Sequence, residues 1–218
     1  MSEDATHYPT PAAKCADLCV HLAGLTFALI GGGILLGLSV KMGGVAQTVA
    51  VAIYTVGLIA MLALSTAYNF AKPHRRPLLR RFDHAGIFLM IAGSYTPFTT
   101  QKLEGAWAIG MTTAVWSVAL VGVAAKLFLP GLDRRFWVGL YLALGWLVLV
   151  AIKPMVLGLS GVALLLLALG GAIYSTGVIF YLVKKLKFRR AIWHGHVVGG
   201  AILQYVAVLV GVVLAQPH

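Results

Sequence analysis

Long, nearly uncharged apolar stretches are the feature that most restricts what this chain can fold into. A helix needs about 20 mostly apolar residues to cross the roughly 30 Å hydrocarbon core of a bilayer. Hydrophobic residues make up 60% of the 218 residues and charged residues only 11%, whereas about a quarter of a soluble domain is charged. These figures exclude a soluble globular enzyme, a disordered chain and a disulfide scaffold, and they predict an integral membrane protein.

Seven apolar stretches are long enough to form membrane helices, and charged residues, Pro or Gly separate them. The stretches are too long for a membrane β-barrel and lack its alternating pattern. We therefore predict an all-α, seven-transmembrane helix bundle in one domain, residues 19–218, preceded by a polar cytoplasmic segment, residues 1–18. The predicted spans are Cys19–Ser39, Val45–Ala71, Asp83–Thr100, Gly105–Leu129, Phe136–Ile152, Met155–Val183 and Ala191–Ala215.

The distribution of basic residues predicts the orientation of this bundle. Lys and Arg favour cytoplasmic loops, and with seven spans 14 of the 17 fall on the side of the N-terminus. The opposite side holds Lys41, Lys102 and Lys153. We therefore predict a cytoplasmic N-terminus and an outside C-terminus in a bacterial inner membrane. This orientation explains the net charge of +11, so no nucleic acid is expected as a partner.

A few polar and ionisable residues lie where the predicted spans meet the cytoplasm. Such residues are costly inside a membrane and usually face the bundle interior, so they are candidates for function. Several are spaced i, i+4, which places both members of a pair on one helix face. We predict that they form one polar cluster below the inner head groups. Its members are Asp17 and His21, Ser65 and Asn69, Asp83, and Arg190 and His194.

Some of these residues also have purely structural interpretations. Asp83 can be a helix N-cap beside basic residues, and Ser65 can bond to the preceding helical turn or ease helix packing. The sequence leaves both alternatives open. His7, His74 and His218 lie in polar stretches and are expected in solvent.

The segment from Phe82 to Phe98, FDHAGIFLMIAGSYTPF, is the most distinctive in the chain. Together with Ser65–Asn69 and with Trp193 and His194 of the last span, it resembles the bacterial hemolysin III family. That family belongs with the progestin and adipoQ receptors and, more distantly, with the alkaline ceramidases. The resemblance covers nearly the whole chain and implies the same seven spans with the N-terminus inside. For the best-studied relatives it implies amide hydrolysis of a lipid such as ceramide at a zinc ion.

The resemblance implies a particular zinc site, and this chain departs from it. The implied ligands are a histidine at position 69 and two histidines at positions 190 and 194, with the carboxylate of Asp83 holding the zinc-bound water. This chain has Asn69 and Arg190 instead, and His194 is the one ligand that matches. Asn is a poor zinc ligand, and Arg does not lose its proton. Ser65 and Asp83 match the family and are the candidates for catalysis.

We therefore expect a metal-free polar cluster in which Arg190 pairs with Asp83, and no cofactor; a bound zinc ion is the alternative. The predicted function is that of a hemolysin III-type relative of zinc-dependent lipid amide hydrolases, acting in membrane homeostasis or lipid sensing. Its predicted partners are the bilayer and a lipid ligand. Two alternatives stay open: an active metal-dependent lipid hydrolase with a rearranged site, and a pore-forming, channel or transport protein. The sequence does not decide whether the chain is an enzyme, nor its oligomeric state.

Overall fold

The computed structural model is all-helical over the residues it describes, which are 7–129, 131, 133–183 and 185–215. This confirms the predicted all-α class. A π-helical turn, Leu209–Val213, ends the last helix, and short 3-10 turns cover Pro73–Arg75 and Leu147–Ala151. The α-helices of this part of the chain are α1 (Pro11–Met42), α2 (Val45–Phe70), α3 (Arg76–Gln101), α4 (Gly105–Phe128), α5 (Arg134–Gly145), α6 (Ile152–Gly158), α7 (Gly161–Leu182) and α8 (Arg189–Val208).

Within the described residues, six helical stretches are long and apolar enough to cross a membrane. They are α1, α2, α4, α7, the stretch Arg134–Gly158 that joins α5 to α6, and the stretch Arg189–Val213. The helix α3 is not one of the six, although its 26 residues make it about 39 Å long at 1.5 Å per residue. Its first two turns carry several charged side chains, which lower its apolar character. It packs most extensively against α2 and α4.

The first span begins earlier than predicted, at Pro11 rather than Cys19. Proline suits the first position of a helix, because its missing N–H would have no partner there. The Thr10 side chain accepts a hydrogen bond from the Ala13 N–H (3.2 Å), which caps the helix end. Asp17 therefore lies inside α1 rather than in a separate polar segment.

The predicted break at Lys153 and Pro154 is wrong, because both residues lie in α6. Proline is tolerated in the first turn of a helix, where its missing N–H costs nothing. The chain instead leaves the helical conformation at Leu159 and Ser160. The Ser160 side chain then caps α7 by accepting a hydrogen bond from the Ala163 N–H (3.3 Å).

Glycines bring α2 and α3 close together. A methyl group added to Gly57 would lie 3.3 Å from the backbone oxygen of Leu89, and one added to Gly93 would lie 3.3 Å from that of Ile53. Small residues allow such close backbone approach between membrane helices. This packing places the end of α2 beside the start of α3, which are the two ends that carry predicted site residues.

The side chain of Tyr95, in α3, stabilises the interruption between α5 and α6. Its hydroxyl accepts a hydrogen bond from the Val148 N–H (2.8 Å) and lies 3.0 Å from the carbonyl oxygen of Leu144 and 2.9 Å from that of Gly145. Backbone groups freed by a broken helix find no water in hydrocarbon and need a protein partner. Tyr95 supplies one and ties α3 to the broken fifth stretch.

Gly122 offers a test of this packing, because a methyl group there would lie 2.5 Å from the Phe88 ring, which is fully buried. We expect Gly122→Ala to destabilise the protein by about 1–3 kcal/mol, the usual cost of overpacking a core. Thermal unfolding in detergent measures the effect. Gly110→Ala on the same helix is the control, because a methyl group there meets nothing within 4 Å. Equal melting temperatures for the two variants would contradict this packing.

Candidate functional site

The carboxylate of Asp17 lies at the centre of a buried cluster between α1 and α8. Its side chain is completely buried, and it accepts a hydrogen bond from His194 Nδ1 at 2.6 Å. His21, one helical turn after Asp17, places its Nε2 3.6 Å from the second carboxylate oxygen. The His21 and His194 rings lie 4.3 Å apart between centroids. The i, i+4 spacing in α1 thus directs both of its polar side chains at the same residue of α8.

The hydrogen bonds of Thr66 determine which His21 nitrogen carries the proton. The Thr66 hydroxyl donates its one proton to the Leu62 carbonyl (2.7 Å), so it accepts from His21 Nδ1 (3.1 Å). With Nδ1 protonated, a neutral ring has a lone pair on Nε2. That Nε2 is buried, has no hydrogen-bond partner among the residues that the structure describes, and lies beside the Asp17 carboxylate. In a neutral ring, that nitrogen is an acceptor that faces another acceptor.

These three side chains have the composition of a metal site. Asp17, His21 and His194 each offer one ligand atom, and these atoms lie within 4.8 Å of one another. Two imidazoles and one carboxylate form a donor set that zinc accepts in proteins. The structure therefore assembles a group that could hold a metal ion and is compatible with zinc.

A second set of contacts joins the positions at which the resemblance implies two zinc ligands. Arg190 Nη1 donates a hydrogen bond to Asn69 Oδ1 at 2.8 Å, and Asn69 Nδ2 donates to the Ser65 carbonyl at 3.0 Å. Asn69 is 1% exposed. The amide oxygen at this position thus accepts a hydrogen bond from a guanidinium group, which stays positively charged.

The predicted pairing of Asp83 with Arg190 is wrong. Among the described residues, the carboxylate of Asp83 forms no ion pair with Arg190; it interacts with the Ser65 hydroxyl and lies 4.0 Å from His84 Nε2. The Arg190 guanidinium instead donates hydrogen bonds to Asn69 Oδ1 and, through Nε, to the His7 backbone oxygen at 3.1 Å. The catalytic roles of Ser65 and Asp83 stay predictions.

The segment before α1 folds over both sets of contacts. The Tyr8 hydroxyl donates to the Asp17 carboxylate at 2.5 Å, and the Tyr8 ring lies 5.6 Å from the Arg190 guanidinium carbon. His7 is half-buried rather than in solvent, with its Nδ1 3.1 Å from Arg190 Nη2. His74 is exposed as expected, and His218 lies outside the described residues.

Burial and charge change the acidity of these two N-terminal side chains. Burial, and then the positive charge of Arg190, lower the pKa of His7 from 6.5 to about 4. Burial and the adjacent Asp17 carboxylate raise the pKa of Tyr8 above its ordinary value. Both side chains are therefore uncharged at neutral pH, which suits their position against the bundle.

A cavity of about 550 Å³ runs through the bundle beside these clusters. Among the described residues that line it, basic side chains gather at one end with a single acidic one, Asp83. The side chains along the rest are mostly apolar, with a few polar ones such as Ser94 and Gln204. The basic residues are Arg80, Lys126, Arg134, Arg189 and Arg190; the apolar ones include Met90, Phe98, Leu103, Met111 and Met155.

Lys126 is the least expected of the cavity residues. It is 8% exposed, its Nζ lies 3.2 Å from His84 Nδ1 and 4.0 Å above the centre of a Trp137 ring. In the part of the chain that the structure describes, it forms no ion pair with a carboxylate. A buried ammonium group without a negative partner is costly.

Sequence reasoning missed four of the residues that shape the site. Tyr8 and His7 lie in a polar stretch with no periodic pattern, so nothing predicted that the stretch folds back. Thr66 adjoins the predicted Ser65 but faces α1. Lys126 lies in the last turn of a predicted span, where an exposed lysine is usual. Nothing in the sequence indicates that its side chain is buried.

Comparisons with known proteins agree with the resemblance. The family model described as "Haemolysin-III related" matches residues 15–205. The chain is 33% identical over 197 residues to "Hemolysin-3 homolog" of Bacillus subtilis (strain 168), covering 90% of this chain and 92% of that one. It is 37% identical over 173 residues to "Hemolysin-3" of Bacillus cereus, covering 78% of each. It is 27% identical over 207 residues to the human "Monocyte to macrophage differentiation factor", covering 92% and 84%.

The lowered pKa of His7 predicts how the N-terminal segment responds to acid. A free His7 takes up a proton near pH 6.5 and the docked ring only near pH 4, so docking loses stability as the pH falls between these values. We expect the melting temperature of the wild type to fall more from pH 6.5 to 4 than that of His7→Gln. Exposed His74→Gln should keep the wild-type slope. Identical slopes for the wild type and His7→Gln would contradict the buried position of His7.

Proposed function

The chain belongs to the haemolysin-III related family of multi-pass membrane proteins, and we propose that it binds an amphiphilic lipid with an anionic head group in its bundle cavity. We propose further that this binding serves lipid sensing in membrane homeostasis. The observation that carries the proposal is the buried Lys126 ammonium, which faces the cavity without an ion-pair partner among the described residues. A carboxylate or phosphate group from a ligand would provide the missing negative charge.

The division of the cavity supports an amphiphile over a polar ligand. Its basic end suits an anionic head group, and its apolar remainder suits a hydrocarbon chain. The volume of about 550 Å³ falls within the range of about 300–1,000 Å³ that is usual for small-molecule sites. Such a division aligns a lipid along the bundle, with its head group beside Lys126.

The zinc centre implied by the family does not fit the residues of this chain. Asn69 and Arg190 replace two of the three histidine ligands and hydrogen-bond to each other at 2.8 Å. A fixed guanidinium charge at a ligand position repels a divalent cation. We therefore propose that lipid binding in this chain is not followed by hydrolysis at that centre.

We propose that α3 completes a seven-span bundle with a cytoplasmic N-terminus in a bacterial inner membrane. Its length and its packing between α2 and α4 support this, as does the bias of Lys and Arg toward one side. Alkaline phosphatase fused after the last residue should then be active outside the cytoplasm. A second fusion at the same point carries a protein that becomes fluorescent only in the cytoplasm. Fluorescence of that fusion would contradict the proposed orientation.

The proposed ligand chemistry is tested by direct binding of radiolabelled oleate to the purified protein. We expect Lys126→Gln to weaken oleate binding by at least about tenfold, since a hydrogen bond to a charged group contributes about 1.5–3 kcal/mol. Oleyl alcohol has the same chain without the charge, so it should compete poorly with oleate for the wild type. Lys72→Gln, at an exposed lysine, is the matched control and should bind oleate as the wild type does.

A cavity-filling pair of variants separates the cavity from the protein surface. Ser94 lines the cavity, so Ser94→Phe should reduce oleate binding by occupying the chain-binding region. Leu165 is 58% exposed on the outer face of α7, so Leu165→Phe should leave binding unchanged. Oleate binding that is insensitive to both Lys126→Gln and Ser94→Phe would overturn the proposal.

A further inference from the structure

We propose that Asp17, His21 and His194 bind one divalent transition-metal ion, with zinc as the expected metal, and that this ion joins α1 to α8. The site shares only His194 with the ligand positions implied by the family, and its other two ligands come from α1. It differs from the expectation of a metal-free polar cluster, which included His194 and paired Arg190 with Asp83. It does not depend on whether the cavity holds a lipid.

The unpartnered nitrogen of His21 is the observation that points to an ion. Its Nε2 is buried in a side chain that is 2% exposed, and the Thr66 contact fixes the proton on the other nitrogen. Its lone pair lies 3.6 Å from an Asp17 carboxylate oxygen. Two acceptors so placed repel each other unless a proton or a cation lies between them. Neighbouring ligand atoms of a tetrahedral zinc ion, bound at about 2.0–2.1 Å, are separated by about 3.3 Å.

Charge supports the same conclusion. The Asp17 side chain is completely buried, and its contacts are with His21, His194 and the Tyr8 hydroxyl. None of these is a permanent cation, and a buried carboxylate needs positive charge nearby. The Arg190 guanidinium of α8 does not provide this positive charge by direct contact, because it hydrogen-bonds to Asn69 and to the His7 backbone. A divalent ion would neutralise Asp17 directly.

His194 completes the donor set by exchanging a proton for the ion. In the structure its Nδ1 donates to Asp17 at 2.6 Å, which is a hydrogen-bond distance and shorter than the separation of two zinc ligands. Binding of the ion at Nδ1 releases that proton and widens the contact by about 0.7 Å. Metal affinity should therefore rise with pH, as expected when ligands must lose protons.

The surroundings indicate a structural role for the ion. The Tyr8 hydroxyl covers Asp17, and the Tyr8 ring stacks on Phe70 with centroids 6.0 Å apart. Phe70 also contacts the edge of His21. The ion would thus lie under the N-terminal segment and fix the first membrane helix to the last.

Metal analysis of the full-length protein in detergent tests the proposal. The protein is saturated with Zn²⁺, dialysed, and measured by elemental mass spectrometry. We expect close to one zinc per chain in the wild type and background levels in Asp17→Asn, His21→Gln and His194→Asn. His74→Gln and Asp83→Asn are the controls and should keep the zinc, because His74 is exposed and Asp83 belongs to the other cluster.

Two outcomes would overturn the proposal. One is a wild type that retains no zinc after dialysis. The other is zinc that survives in both Asp17→Asn and His21→Gln, which would show that the two residues of α1 are not ligands. Loss of oleate binding in Lys126→Gln is a separate measurement, so the lipid proposal and the metal proposal can fail independently.

A measurement on the wild type alone keeps the test decisive if the variants fold poorly. X-ray absorption of the zinc-loaded protein counts imidazole ligands through their scattering pattern. We expect two imidazoles and at least one oxygen ligand. A shell with one imidazole or none would contradict the joint participation of His21 and His194. Chelation of the metal should also lower the melting temperature of the wild type, and no change on chelation would contradict a structural link between α1 and α8.

Discussion

The complete burial of the Asp17 carboxylate is the constraint on which the polar end of this bundle depends. A carboxylate removed from water is stable only when other groups compensate its charge and its hydrogen bonds. Here hydrogen bonds come from α8 through His194 and from the N-terminal segment through Tyr8, and His21 of α1 places its Nε2 3.6 Å from the carboxylate. One acidic residue thereby determines how three segments, distant in sequence, meet.

The neighbouring cluster joins two positions at which the resemblance implies histidines. Asn69 and Arg190 stand there, and they form a hydrogen bond of 2.8 Å with each other. An amide paired with a guanidinium group thus makes a polar contact between α2 and α8. Tyr8 lies between this pair and the Asp17 cluster. The polar residues thus form two adjoining networks in place of a single one.

The cavity borders both networks, because Asn69, Arg190 and His194 are among its lining residues. The same helices contribute to both parts of the cavity, since α3 supplies Arg80 and Met90 and α4 supplies Lys126 and Met111. The division therefore follows the position of a residue along its helix. The broken fifth stretch contributes to its wall, and Tyr95 stabilises that break by bonding to backbone groups that hydrocarbon could not satisfy. The fold therefore forms a cavity that is basic at one end and mostly apolar along the rest of its length.

The sequence by itself determined the all-helical class, most span boundaries, the family and the residues Asp17, His21, Asn69, Arg190 and His194 as polar groups at one end. Span length and i, i+4 spacing are local properties, so they can be read along one chain. The tertiary structure alone decided which groups meet: Arg190 with Asn69 rather than Asp83, and His194 with Asp17. Those partners depend on helix rotation and on close approaches such as those at Gly57 and Gly93, which arise between segments and leave no periodic trace in the sequence.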